Sequence, residues 1–139
     1  MGPSPLADPP ESVPLDVESY RALYEYCPDG VMFTSPDGRI HAANPAACEM
    51  FHLTEAEICQ LGRQGLTDNE DQRWEALVRT RERTGRVRGV ARMRRGDGRL
   101  IEVEMSARVF TDRQGEKRTC TIVRDVTDRI AVERRLVVM

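Results

Sequence analysis

Apolar positions near the start of the chain recur at helical spacing. Val17, Tyr20, Leu23, Tyr24 and Cys27 fall at i, i+3, i+6, i+7 and i+10, a single stripe along a helix. Asp16 stands where an N-cap side chain would accept a first-turn N–H, and "CPDG" stops the helix with Pro28 and Gly30. The pattern then changes to short runs of strand-forming types. "VMFT" at 31–34 and "RIHAA" at 39–43 read as two strands joined by the turn "SPDG". Asn44 and Pro45 follow at once, a capping side chain and then the residue type best suited to the first helical position. The pair predicts a helix directly off the second strand, with Ala47, Met50 and Phe51 facing inward.

Two further helices are predicted. In "LTEAEI", Thr54 and Glu57 have capping-box spacing, Leu53 and Ile58 flank them as a hydrophobic staple, and Gly62 closes the segment. Asn69, backed by Glu70 and Asp71, reads as the cap of a helix that presents Trp74, Leu77 and Val78 and stops at Gly85.

Beyond Gly85 the chain alternates. Val87, Gly89, Ala91 and Met93 share one face, and Ile101, Val103, Met105, Ala107 and Val109 resume it after "GDG". A three-residue loop at 97–99 would set Arg94 opposite Glu102 and Arg92 opposite Glu104. "RTCTIVRDV" forms the last strand, and "TDRIAVERRLVVM" reads as a helix. In that strand Cys120 and Ile122 occupy one face and Thr121 and Val123 the other, so something must cover the outer side of the sheet. The candidates are the first helix, through Tyr20, Leu23 and Tyr24, and a second copy of the chain. In the final helix Arg129, Val132, Leu136 and Met139 step by three and four, as in a coiled-coil seam.

Composition narrows the function. The 139 residues are 40% hydrophobic, enough for the core of one domain. Five of the eight prolines lie in 1–15, which reads as a flexible tail ahead of a domain at 16–126 and a linker helix at 127–139. The net charge of −2, with signs interleaved, argues against a nucleic-acid partner. No apolar run is long enough to span a membrane and no signal peptide is evident, so a cytoplasmic location with no membrane partner is expected. The four cysteines form no C-x₂₋₄-C pair and are expected as free thiols, with no metal.

Candidate chemistry is sparse. His41 and His52 have no carboxylate or thiol at ligand or catalytic spacing, no serine sits in a nucleophile elbow, and the glycines mark turns. Counted from Asp68 as a calcium loop, the sixth and twelfth places hold Arg73 and Arg79 instead of Gly and Glu. The arginines after Asp71 are interleaved with Glu75 and Glu82 and make a poor DNA-reading helix. An enzyme is not expected.

Three stretches together resemble the PAS family of sensory domains: "DGVMFTSPDGRIHAANPAACEMFHLTEAEICQLGR", "RRGDGRLIEVEMSARVF" and "RDVTDR". The resemblance implies an α+β fold, a five-stranded antiparallel sheet in the order 2-1-5-4-3 with helices over one face enclosing a pocket. Ser35 stands where many members carry Asp. The family's flavin-adduct and p-coumaroyl cysteines and its axial haem histidine have no counterpart in "RQGLTDNEDQRW" or "QRWEALVRTRERTG", so no haem or flavin cofactor is expected. What the resemblance leaves is a pocket for a small apolar ligand, lined by Val31, Phe33, Ile40, Ala47, Phe51, Ile58, Leu61, Trp74, Leu77, Met93, Met105 and Val123. Asn44 and Thr54 are its helix caps. Asp125, Val126 and Thr127 are the expected relay to a C-terminal output domain, of histidine kinase, cyclase or phosphatase type. Tyr20, Leu23, Tyr24, Cys120 and Ile122 are the expected face of a homodimer. A module that only dimerises, with no ligand, is the alternative.

Overall fold

A computed structural model describes residues 14–138. The expected tail up to residue 13, and Met139 of the expected seam, lie outside the described residues. The elements run α1 (Val17–Tyr26), β1 (Gly30–Thr34), β2 (Ile40–Ala43), α2 (Pro45–Phe51), α3 (Glu55–Leu66), α4 (Arg73–Thr84), β3 (Arg86–Arg94), β4 (Leu100–Thr111), β5 (Lys117–Asp125) and α5 (Thr127–Val138). The strands form one antiparallel sheet in the order β2-β1-β5-β4-β3, as the resemblance implies.

Local chemistry sets most of the boundaries. Asp16 accepts the Ser19 N–H at 2.8 Å and starts α1. Thr54 and Glu57 exchange side-chain and backbone bonds at 3.1 and 3.0 Å, a complete capping box for α3. Gly62 breaks α3 with φ of 67°, a conformation that costs other residues strain, and the chain resumes helical form to Leu66.

Asn44 does more than cap α2. It is fully buried, and its side chain makes four hydrogen bonds. Its Oδ1 accepts from the N–H groups of Val31 (2.8 Å) and Ala47 (3.0 Å), while its Nδ2 donates to the carbonyls of Tyr24 (2.9 Å) and Asp29 (3.1 Å). One side chain thus ties together α1, β1 and α2, and its amide donors and acceptor are all in use.

Packing follows from the strand faces. Val103 and Val123 on the inner face of the sheet meet Phe51 of α2 and Ile58 and Leu66 of α3, all five under 2% exposed. Leu77 of α4 packs at the edge of this core.

Three local expectations are corrected. The β3–β4 hairpin pairs Arg94 with Leu100 and Arg92 with Glu102, two residues from the predicted register. Its turn is closed by Arg95 N–H to Arg99 O (2.8 Å) and Gly98 N–H to Arg95 O (2.9 Å). Gly98 has φ of 86°, so it takes the left-handed place at the end of a three-residue loop that starts at Gly96. A shift of two keeps every side chain on its predicted face.

Asn69 does not cap α4. Gln72 precedes the helix without a capping bond, and the nearby Asp71 carboxylate accepts the Arg73 N–H at 3.1 Å. Finally, α1 meets the outer sheet face only at the β1 end, through Tyr24. Tyr24 stacks on Phe33 with centroids 5.8 Å apart, and Phe33 meets Phe110 edge-on at 6.3 Å, but Tyr20 and Leu23 stay mostly exposed.

Candidate functional site

The inner face of the sheet and the facing sides of α3 and α4 enclose a cavity of about 40 Å³. At roughly 10–15 Å³ per water-sized occupant, that is room for a few waters or a molecule of three or four heavy atoms. Met32, Met93 and Met105 are in its wall, and their unbranched thioether side chains can repack to enlarge it.

Of the residues expected around a pocket, Ile40, Trp74, Met93, Met105 and Val123 line this cavity. Ala47, Phe51 and Ile58 are fully buried in the core, and Leu77 is half-buried against it. Val31 and Phe33 belong elsewhere. They pair with Ile122 and Cys120 and so stand on the outer face, while Met32 and Thr34 point inward. "VMFT" is apolar at three successive positions, so its periodicity alone could not choose a face. Leu61 is also misplaced. It lies just before the Gly62 break, which turns Arg63 and Leu66 inward and leaves Leu61 46% exposed.

Polar residues that sequence reasoning passed over complete the wall: Thr34, Thr67, Thr121, Arg63 and Arg81. Arg81 is 7% exposed. Its position carried a signal, because it falls seven residues after Trp74, on the same helical stripe as Leu77. Arg63 Nη1 is buried without a hydrogen-bond partner among the described residues. Burial, and then the Arg63 charge, pull the Arg81 guanidinium below its ordinary pKa. Trp74 Nε1 donates to Arg92 O at 2.7 Å, which holds the indole against the cavity.

The loop before α4 is locked to the sheet by carboxylates. Asp71 accepts from Arg73 Nη2 (2.8 Å) and from the Arg92 N–H (2.7 Å), and Arg73 also reaches Glu102 at 3.1 Å. Arg92 Nε lies 3.1 Å from Asp68.

The cavity wall continues into the exit from the domain. Thr121 and Val123 of β5 line the cavity, and β5 ends at Asp125, just ahead of α5. Val126 is buried, and its N–H donates to Glu102 O at 2.8 Å. The Glu102 N–H donates in return to Thr127 Oγ1 at 2.9 Å, and Asp125 accepts the Thr127 N–H at 2.9 Å. Asp125, Val126 and Thr127 therefore form one clamped joint between β5, β4 and α5. Arg129, in the first turn of α5, lies 3.5 Å from Glu104 of β4.

On the outer face Cys120 is half-buried and Ile122 is 41% exposed. Burial raises the Cys120 thiol above its ordinary pKa. All four cysteines are free thiols, and both histidines are exposed: His41 on β2, and His52 at the C-cap of α2. Among the described residues no helix is long and apolar enough to cross a membrane.

Comparison with known proteins agrees with this geometry. The PAS domain family profile matches residues 28–128. Sporulation kinase E of Bacillus subtilis (strain 168) is 29% identical over 126 residues, covering 86% of this chain. The chain spans only 16% of that relative's length. A domain of the sensory box sensor histidine kinase/response regulator from Geobacter sulfurreducens is 28% identical, with a TM-score of 0.64, over 78% of this chain and 92% of that one. The PAS domain of a protein from Colwellia psychrerythraea shares the fold at 20% identity, with a TM-score of 0.70, over 81% of this chain and 99% of that one.

Proposed function

The chain belongs to the PAS domain family, and from that premise we propose that it is the regulatory sensor module of a larger signalling protein. It takes a small ligand into the cavity between sheet and helices, without haem or flavin, and is not itself an enzyme. Its output is carried by α5 to a C-terminal domain. The similarity to a sporulation kinase and to a sensor histidine kinase domain favours a histidine kinase as that output over a cyclase or phosphatase. A cytoplasmic setting follows from that reading.

One observation carries the proposal: β5 supplies cavity wall at Thr121 and Val123 and, two residues beyond Val123, begins the clamped joint to α5. An occupant that repacks Val123, or its partner Met105 on β4, moves β5 or strains it, and the displaced end of β5 is the anchor of the helix. Amide NMR of the 139-residue chain under a small-molecule fragment screen tests it. A cavity binder should shift the amides of Asp125, Val126 and Thr127, and those of the first turn of α5, together with the amides around Met105 and Val123. Binding that moves the cavity amides and leaves the joint unmoved would overturn the relay. A screen with no cavity binder would leave dimerisation alone as the role of the domain.

A further inference from the structure

The cavity wall holds two guanidinium groups and, among the described residues, no carboxylate. Arginine is almost never buried without a partner, because an uncompensated charge in a low-dielectric site costs several kcal/mol. Arg81 is nevertheless 7% exposed, with neither an ion pair nor a side-chain hydrogen bond among the described residues, and Arg63 Nη1 is buried and unpartnered. The acid next to Arg81, Glu82, is exposed and does not line the cavity. The position of Arg81 in the last turn of α4 eases its charge through the helix dipole, but no acceptor among the described residues takes its N–H donors, which keep only a small contact with solvent. The same wall holds the hydroxyls of Thr34, Thr67 and Thr121 and the apolar side chains of Ile40, Met105 and Val123.

From this arrangement we infer that the ligand is a short-chain organic carboxylate of about two to four carbons, its carboxylate held by Arg63 and Arg81 and its alkyl end packed on the methionine and valine side. This deepens the proposed sensing role and rests on it. Each guanidinium supplies directed donors for a carboxylate oxygen. The free volume takes three or four heavy atoms, the size of acetate; propionate with five and a four-carbon acid with six enter as Met32, Met93 and Met105 repack, and long-chain acids are excluded.

Trp74 is the sole tryptophan and sits in the cavity wall, so its fluorescence reports occupancy directly. The whole chain is titrated with sodium propionate, and in parallel with propionamide, 1-propanol and inorganic phosphate at matched ionic strength. Propionate should give a saturable change, and the two neutral analogues should bind at least about tenfold more weakly. Arg63→Met and Arg81→Met should each weaken propionate by about ten- to a hundredfold. Arg81→Met should melt no lower than the wild type, because it replaces an unpaired buried charge with an aliphatic chain of similar reach, and Arg63→Met, at a half-buried side chain, should melt close to it. Should Arg81→Met fail to fold, Arg81→Lys keeps the charge without the fork and should retain part of the affinity.

Equal binding of propionate and its neutral analogues, or unchanged propionate affinity in the arginine variants, would overturn the carboxylate and leave the cavity as a ligand site. Saturation by phosphate with no response to propionate would equally overturn it. Silence toward every probe would overturn it too, and the amide screen would then decide separately whether the cavity takes any ligand.

Discussion

Asn44 shows how much one side chain can hold. Replacing it by alanine removes a helix cap, a loss of about 1 kcal/mol. It also orphans the buried N–H of Val31 and the carbonyls of Tyr24 and Asp29, each costing about 1–3 kcal/mol when unsatisfied. Asn44→Ala should therefore lose about 3 kcal/mol or more in urea unfolding, and Thr54→Ala, at an exposed cap, about 1. Equal midpoint shifts in the two variants would mean that Asn44 acts only as a cap. The capping role is legible in "NP", because a cap and its helix are neighbours in sequence. The bonds to Tyr24 and Asp29 are not, because their partners lie 20 and 15 residues away. Arg81 was hidden for a different reason. An arginine on an apolar stripe is usually read as the end of that stripe, and only the cavity shows that it is buried.

At the scale of elements, the acidic turn before α4 is a clamp where the sequence suggested a cap. The hydrogen bond from Arg73 is the chief reason that the Asp71 carboxyl falls from 3.8 to about 2. A depressed carboxyl stabilises the fold above its unfolded pKa, and that contribution disappears as the pH falls through the folded value. Here the window runs from about pH 4 down to pH 2, and at about 1.4 kcal/mol per unit the contribution is roughly 2 kcal/mol. Asp71→Asn should be less stable than the wild type at pH 6, yet should lose roughly 2 kcal/mol less between pH 6 and pH 2 in urea titrations. Parallel losses in the two proteins would assign the acid sensitivity to other carboxyls. Element order, the faces of β3, β4 and β5, and the capping box were readable because each rests on near neighbours or on a period of two. The Arg94–Leu100 register was missed by two because the loop residue that needs a left-handed backbone is Gly98, at the end of the loop. The inward face of β1 was missed because Val31, Met32 and Phe33 are all apolar, and only pairing with β5 decides among them.

For the whole molecule, the part of the outer face that α1 leaves open around Ile122 makes an assembly prediction. Tyr20, Leu23 and Ile122 remain exposed, and Val132 and Leu136 of α5 add more apolar surface. We propose that a second copy covers Ile122 and its neighbours, with the flanking helices alongside. Sedimentation at high micromolar concentration should show a dimer for the wild type and a folded monomer for Ile122→Glu. A monomeric wild type would defeat the dimer, and a dimeric variant would move the interface away from β5. The strand order has a consequence of another kind, for how such a domain is made. β5 is the last strand in the chain but lies between β1 and β4, pairing Val31 with Ile122 and Met105 with Val123. On the ribosome, β1 and β4 each wait with an open edge until the final strand emerges. The sheet closes in one late step between Gly30 and Val123, about two thirds of the chain, a costly loop to close early. The strand that completes the sheet is also the strand that anchors α5, so a nascent or truncated domain has no fixed platform from which to direct whatever follows it.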